Sequence, residues 1–286
     1  MKFSYDIGWL PNYVGYNELL KSFKASGIDT LAFNFFCIND LNSLLGPSNY
    51  TLKAEQLRAM ADSVGVRFNQ SYSPFSLKLC DERLNRFEPC YGALVRALHF
   101  SAILGAKQMI CYAVQTPESI SQTDKNYKIY RSLIPYCEKF GIKIAISSGF
   151  PKYIDSSVLK TPWESDDEYV AFINSFNSPF ITACADLGGE NMDESKELIA
   201  KIGKEKLSSI HFKDPLKYHD VHLPPYFKAA KPEAVRKMLC EIGYEGEFTF
   251  ECPSFLEEYP KELLGDLLSL FYDIGCYVCF EAEEGE

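Results

Sequence analysis

A chain of 286 residues, 47% of them apolar, is long enough to bury one large core or two ordinary ones. Its net charge of −10 argues against a protein that tracks a nucleic-acid backbone, because such proteins need a basic face to displace counterions. No window is apolar for the length of a membrane span, so the partner expected is a small molecule, with neither nucleic acid nor membrane involved.

The ten cysteines have no regular spacing, and several sit in apolar runs such as "MICYAV" and "ITACADL", where a free thiol behaves as a small hydrophobe. Together with the lack of a basic, then apolar, then small-residue leader pattern at the N-terminus, they make a reducing, cytoplasmic location the expectation. The one C-x-x-C, Cys276 to Cys279, has no second pair to complete a zinc site and reads as packing.

In chain order, short β-rich runs alternate with helical patterns about a dozen residues long. "KFSYDIG" precedes a helix over 17–26, "TLAFNFF" one over 53–65, "VRFNQSY" one over 90–105, and "KQMICYAV" one over 120–140. "IKIAISS" precedes 165–176, "FITACADL" 193–203, "LSSIHFKD" 231–242, and "EFTFEC" 258–274. Several helices stop at a glycine, as in "KASGI", "DSVGV", "EKFGI" and "CEIGY", where a left-handed residue closes the helix before the next strand. Eight such units with no linker between them predict an α/β fold, a (β/α)8 TIM barrel forming a single domain over 1–286. The other candidate, an open doubly wound sheet, calls for a Gly-rich phosphate loop after its first strand, and "DIGWLPNYVG" is not one.

Strand parity points to the site, because alternate residues of a barrel strand face the outer helices or the barrel axis. Ile142, Ile144 and Ile146 share one face of strand five, leaving Ala145 and Ser147 on the other. The inward sets of the next strands contain Thr182, Cys184 and Asp186, then Ser209 and His211, then Thr249 and Glu251. Each ends in a polar residue at the carboxyl end of its strand, where barrel active sites sit. Asp186, His211 and Glu251 suit a divalent ion, manganese, zinc or magnesium. On residue types alone, a hydrogen-bonded polar cluster fits equally well. Two carboxylates brought close together need a cation or a retained proton, which favours the ion.

These residues carry a family resemblance. "ADLGGEN", "IHFKD" followed by "DVH", and "FECP" resemble the motifs of strands six, seven and eight in the xylose isomerase-like barrels, which include sugar isomerases, epimerases, inosose dehydratases and type IV apurinic endonucleases. Carried over singly, the family's ligands fall on Asp186, His211, Asp220, His222 and Glu251. The departures are as informative. The family's strand-five glutamate falls on Ser147, the histidine of its D-x-G-H pattern on Gly189, and the histidines that some members carry after strands three and four on Tyr72 and Tyr112. These losses, with the acidic charge, exclude a trinuclear zinc nuclease and leave one mononuclear site of Asp186, His211 and Glu251, its open positions taken by water, substrate or Ser147.

The resemblance implies a metal-assisted isomerase or epimerase acting on a small keto-sugar, sugar phosphate or polyol by proton transfer beside a carbonyl, with Glu251 moving the proton. A second proton-transfer group is open between Glu190, Tyr112 and Tyr72. A one-base transfer and a dehydration fit as well. Lys213, inward by parity beside His211, either neutralises an enediolate or a phosphate or turns outward to Asp214. Tyr72, Tyr112, Ser147, His222 and, from the long strand-five loop, Lys152 and Trp163 are the substrate-contact candidates. His219, Asp214 and the Asp220–His222 pair also read as ordinary polar loop, and His99 as packing. The competing function is a catalytically silent barrel that binds a sugar-like ligand or a protein partner, which the loss of the strand-five glutamate favours.

Overall fold

The computed structural model describes residues 1–35, 37, 44–74, 87–113, 121–149, 153–154, 157–158, 163–188, 192–215, 222–227 and 232–280. Eight strands run parallel in chain order: β1 (Lys2–Asp6), β2 (Thr30–Asn34), β3 (Arg67–Tyr72), β4 (Gln108–Cys111), β5 (Lys143–Ser147), β6 (Ile181–Gly188), β7 (Leu207–Pro215) and β8 (Glu247–Phe250). Each pairs with its chain neighbour, and β8 returns to β1 through Phe248 against Phe3 and Thr249 against Ser4, closing the barrel. A two-residue strand, His222–Leu223, adds antiparallel to the end of β7.

The strands are buried on both faces, yet several alternate large apolar residues with small or polar ones, because one face meets the helices and the other fills the barrel. Outward, Phe33, Ile144, Ile146, Ile210, Phe212, Phe248 and Phe250 join the main core with helix residues such as Leu57, Leu133 and Phe271. Full burial of such a side chain contributes about 1.5–3 kcal/mol. Inward, a smaller cluster of Ala32, Tyr72, Ile110, Ala145 and Cys184, with Tyr112 against it, fills the barrel. The rest of the interior is polar, and that difference positions the site.

The helices fall close to their expected places, from Tyr16–Ala25 and Tyr50–Val64 to Glu233–Glu241. Side-chain caps set two of the starts: Ser121 Oγ accepts from the Asp124 N–H, and Ser165 Oγ from the Glu168 N–H. Gly65 at φ 74° and Gly141 at φ 67° supply the left-handed stops. The last unit differs from the single helix expected over 258–274. It is a short helix, Pro253–Glu257, then a 3-10 turn and a long helix, Leu264–Phe280. Pro260, extended at ψ 138° and without an N–H to donate, separates them. Among the described residues no helix is long and apolar enough to cross a membrane.

Candidate active site

Parallel register sets the depth of each inward side chain. Asp186 of β6 lies level with His211 of β7, and His211 with Thr249 of β8. Two residues further on, Lys213 and Glu251 rise toward the carboxyl-end mouth. The result is two polar layers, one sealed inside the barrel and one at its opening.

The inner layer is centred on Gln70, fully buried on β3. Gln108 Nε2 donates to the Ser208 carbonyl at 3.0 Å and also contacts Gln70 at 3.3 Å, so the Gln70 atom facing it is the acceptor, Oε1. Ser209 Oγ donates to the same oxygen at 2.7 Å. The Gln70 amide nitrogen is therefore turned the other way, donating to Thr249 Oγ1 at 3.1 Å and to His211 Nε2 at 3.0 Å. A nitrogen that accepts carries no hydrogen, so this network assigns the His211 proton to Nδ1. Burial lowers His211 to about 4, so the ring is neutral at pH 7. Its Nδ1–H faces the Tyr72 hydroxyl at 3.4 Å and Glu251 Oε1 at 3.8 Å, and the latter approach is not an ion pair.

The outer layer is built on Lys213. Its ammonium lies 3.0 Å from Asp186 Oδ2 and 2.5 Å from Glu251 Oε2, bridging the two carboxylates. Burial works to lower its pKa, but the two carboxylates outweigh burial and the group is held above its ordinary value. Burial likewise works to raise Glu251, yet Lys213 outweighs it and keeps this carboxyl below the usual range. The Tyr112 hydroxyl donates to the other Glu251 oxygen at 3.1 Å, and His222 Nδ1 stands 3.9 Å from Oε2. Glu251 is thus surrounded.

Asp186 is not. Its Oδ1 is buried with no hydrogen-bond partner, and burial raises the carboxyl to about 6 against the pull of Lys213. The Asp186 N–H donates to Ser148 Oγ at 2.9 Å, and a Cβ added at Gly149 would fall 1.9 Å from Asp186 Oδ2, so a side chain there would collide with the carboxylate.

Ser147 is fully buried and accepts from the Gly149 N–H at 3.1 Å. Trp163 packs its ring on Tyr169 and Phe172, at 5.0 and 5.7 Å between centroids, which ties it to the helix Asp166–Ser175. His99 stacks on Phe140 and bonds Tyr50. Lys152, Glu190, His219 and Asp220 lie outside the described residues.

Two residues at the site were not anticipated. Asp6, at the end of β1, accepts from Asn34 Nδ2 at 3.0 and 3.2 Å and from the Gly8 N–H at 3.0 Å. Burial pushes its carboxyl up to about 8 and the Glu251 charge adds to this, against those hydrogen bonds and Lys213. Gln70 is the other. Parity of "FSYD" and "FNQSY" would have turned both inward beside Ser4 and Tyr72.

The ion expected on Asp186, His211 and Glu251 does not fit the donors as arranged. An ammonium already lies between the two carboxylates. A ligating imidazole needs a bare nitrogen toward the ion, whereas the bare nitrogen of His211 faces Gln70. Among the described residues no group of three or more His, Cys, Asp or Glu side chains is placed to hold a metal ion.

Residues 20–272 match the family described as "Xylose isomerase-like TIM barrel". No curated protein matches the chain. Among solved structures, a D-psicose 3-epimerase determined in the presence of D-fructose is similar over 97% of this chain and 99% of its own, with a TM-score of 0.71 and 13% identity. A D-psicose 3-epimerase with D-tagatose from Clostridium cellulolyticum H10 covers the same shares at 0.67 and 12%. An IOLI protein with a binding zinc atom is similar over 99% of this chain and 100% of its own, at 0.69 and 14%.

Proposed function

The chain belongs to the xylose isomerase-like TIM barrel family, and from that premise we propose that it is a carbohydrate isomerase or epimerase that moves a proton at a carbon beside a carbonyl. Its structural neighbours named as sugar epimerases support a carbohydrate substrate, and the proton transfer requires one with a carbonyl, a small keto-sugar or its phosphate. The observation that carries the chemistry is the unequal treatment of two carboxylates by one ammonium. Glu251 is fixed by Lys213 and Tyr112, while Asp186 keeps one oxygen unpartnered.

In this reading Asp186 takes the proton, since a free carboxylate oxygen is the group that can accept one. Lys213 stabilises the charge that develops on the substrate oxygen as the C–H bond breaks, a preorganised cation where an enediolate forms. Glu251 serves as the anchor that keeps Lys213 in place. Tyr112 and His222, both against Glu251, border the substrate, and Tyr72 holds the His211 ring beneath it. One carboxylate with a single unpartnered oxygen suits transfer on a single face. Glu190 remains the candidate for a second face. Turnover takes place in a reducing, cytoplasmic compartment, consistent with the free cysteines among the described residues.

Ser147 favours a second reading, a barrel that binds a sugar-like ligand without turnover, because a buried serine supplies no base there. Incubating the protein with ketoses, their phosphates and inositol derivatives in deuterated water distinguishes the two. The first reading predicts exchange of a C–H proton beside a carbonyl, read by NMR. Ligand-induced thermal stabilisation without exchange from any compound would establish the second.

A further inference from the structure

We propose that Lys213 is this barrel's resident cation: its ammonium takes the place between Asp186 and Glu251 that a divalent ion would need, so the site works on its own side chain. The inference deepens the proposed function, on which its chemical consequence depends, but it concerns binding that is measurable without any substrate.

Two independent features of the site carry it. The first is position. Lys213 Nζ is within hydrogen-bonding distance of one oxygen from each carboxylate, at 3.0 and 2.5 Å, and an ion bound by those oxygens would sit against a like charge. The second lies one layer deeper. For His211 to turn a bare nitrogen toward an ion it must shift its proton to Nε2, where the Gln70 amide would meet it donor to donor. Gln70 cannot simply flip, because Gln108 and Ser209 hold its oxygen and the Ser208 carbonyl holds Gln108. Moving Lys213 aside therefore frees the two carboxylates but not the imidazole, so an ion entering there would take Asp186 and Glu251 without His211.

The charges balance in the same sense. Ser147 adds no third carboxylate, so Asp186 and Glu251 together face one ammonium, leaving a single net negative charge at the mouth. Lys213 can do for a substrate oxygen what a Lewis acid does, by charge and by hydrogen bonding, and it needs no loading. The opposing possibility is that the lysine swings out and an ion enters, with the polar layer beneath rearranging.

Titration of the chelator-treated wild-type chain with Mn2+, following the free ion by electron paramagnetic resonance, separates these. The proposal predicts no saturable site in the wild type. Lys213→Ala, which vacates the position and leaves two carboxylates facing each other, should gain one Mn2+ site at least about 100-fold tighter, lost again when Asp186→Ala is added. One equivalent bound by the wild type and lost in Asp186→Ala overturns the proposal, as does a folded Lys213→Ala chain that binds no better than wild type. Should Lys213→Ala fail to fold, the wild-type titration decides alone. Mn2+ binding by a wild type that still exchanges substrate protons removes this inference and leaves the proposed function standing. Absence of exchange in a chain that binds no ion does the reverse.

Discussion

Lys213 and Glu251 form an ion pair of 2.5 Å whose side chains are only 18% and 7% exposed, and Asp186 shares the same ammonium at 3.0 Å. Removing one member of a buried pair costs more than the pair contributes, because it strands the other charge. Lys213→Met should therefore destabilise the fold by about 3–5 kcal/mol in urea unfolding. It should also lower turnover by about 100- to 1000-fold, the usual effect of losing one preorganised charge donor. Lys213→Arg, which keeps the charge, should recover most of the stability but less of the turnover, since a planar guanidinium cannot reproduce the ammonium's position.

Gly149 leaves room for the Asp186 carboxylate. A Cβ at position 149 would lie 1.9 Å from Asp186 Oδ2, so Gly149→Ala must push the carboxylate off its position beside Lys213. Turnover should fall by about 100-fold, as expected for a misplacement on the ångström scale, with a much smaller change in thermal midpoint. Unaltered turnover would mean that the Asp186 position is immaterial to the chemistry.

The sealed layer predicts a tautomer. Long-range proton–nitrogen NMR of the wild type should show His211 with Nδ1 protonated and Nε2 bare. Gln70→Met, which removes the donor to Nε2 and the acceptor for Ser209 and Gln108, should release that preference and cost about 1–3 kcal/mol through the buried groups left unpaired. A wild-type spectrum with the proton on Nε2 would contradict the network.

Asp6 sets a pH dependence of stability. Its folded pKa is raised from 3.8 to about 8, so the folded state holds a proton that the unfolded chain releases. That contribution is fully present below about pH 3.8 and is lost as pH rises to about 8. Relative to Asp6→Asn, which has no such proton to lose, the wild type should become steadily less stable in urea across this window. Parallel pH profiles for the two proteins would show Asp6 to be ionised throughout.

Much of this was legible in the sequence. The glycine stops and the strand–helix alternation are local signals, and a closed barrel is the arrangement that buries all eight strands on both faces. Parity placed Asp186, His211 and Glu251 near one another because strand pleating fixes where a Cβ points. It could not place the Lys213 ammonium, since four rotatable bonds separate that charge from its Cβ and both inward and outward courses were open to it. The tautomer of His211 depends on Gln70, Gln108 and Ser209, three residues from three other positions in the barrel wall, and no local pattern joins them. The break at Pro260 was hidden by the apolar run that follows, which reads as helix whether or not it continues an earlier one.

The central claim is that the Asp186 carboxylate beside Lys213 takes a substrate proton, and solvent exchange measures that step most directly. On whichever ketose, ketose phosphate or keto-inositol exchanges with the wild type, deuterium uptake at the carbon beside the carbonyl should fall by at least about 1000-fold in Asp186→Asn, which can no longer act as a base. The Asp186→Asn protein should keep its fold and its affinity for the same compound. Exchange by Asp186→Asn at the wild-type rate would contradict the account.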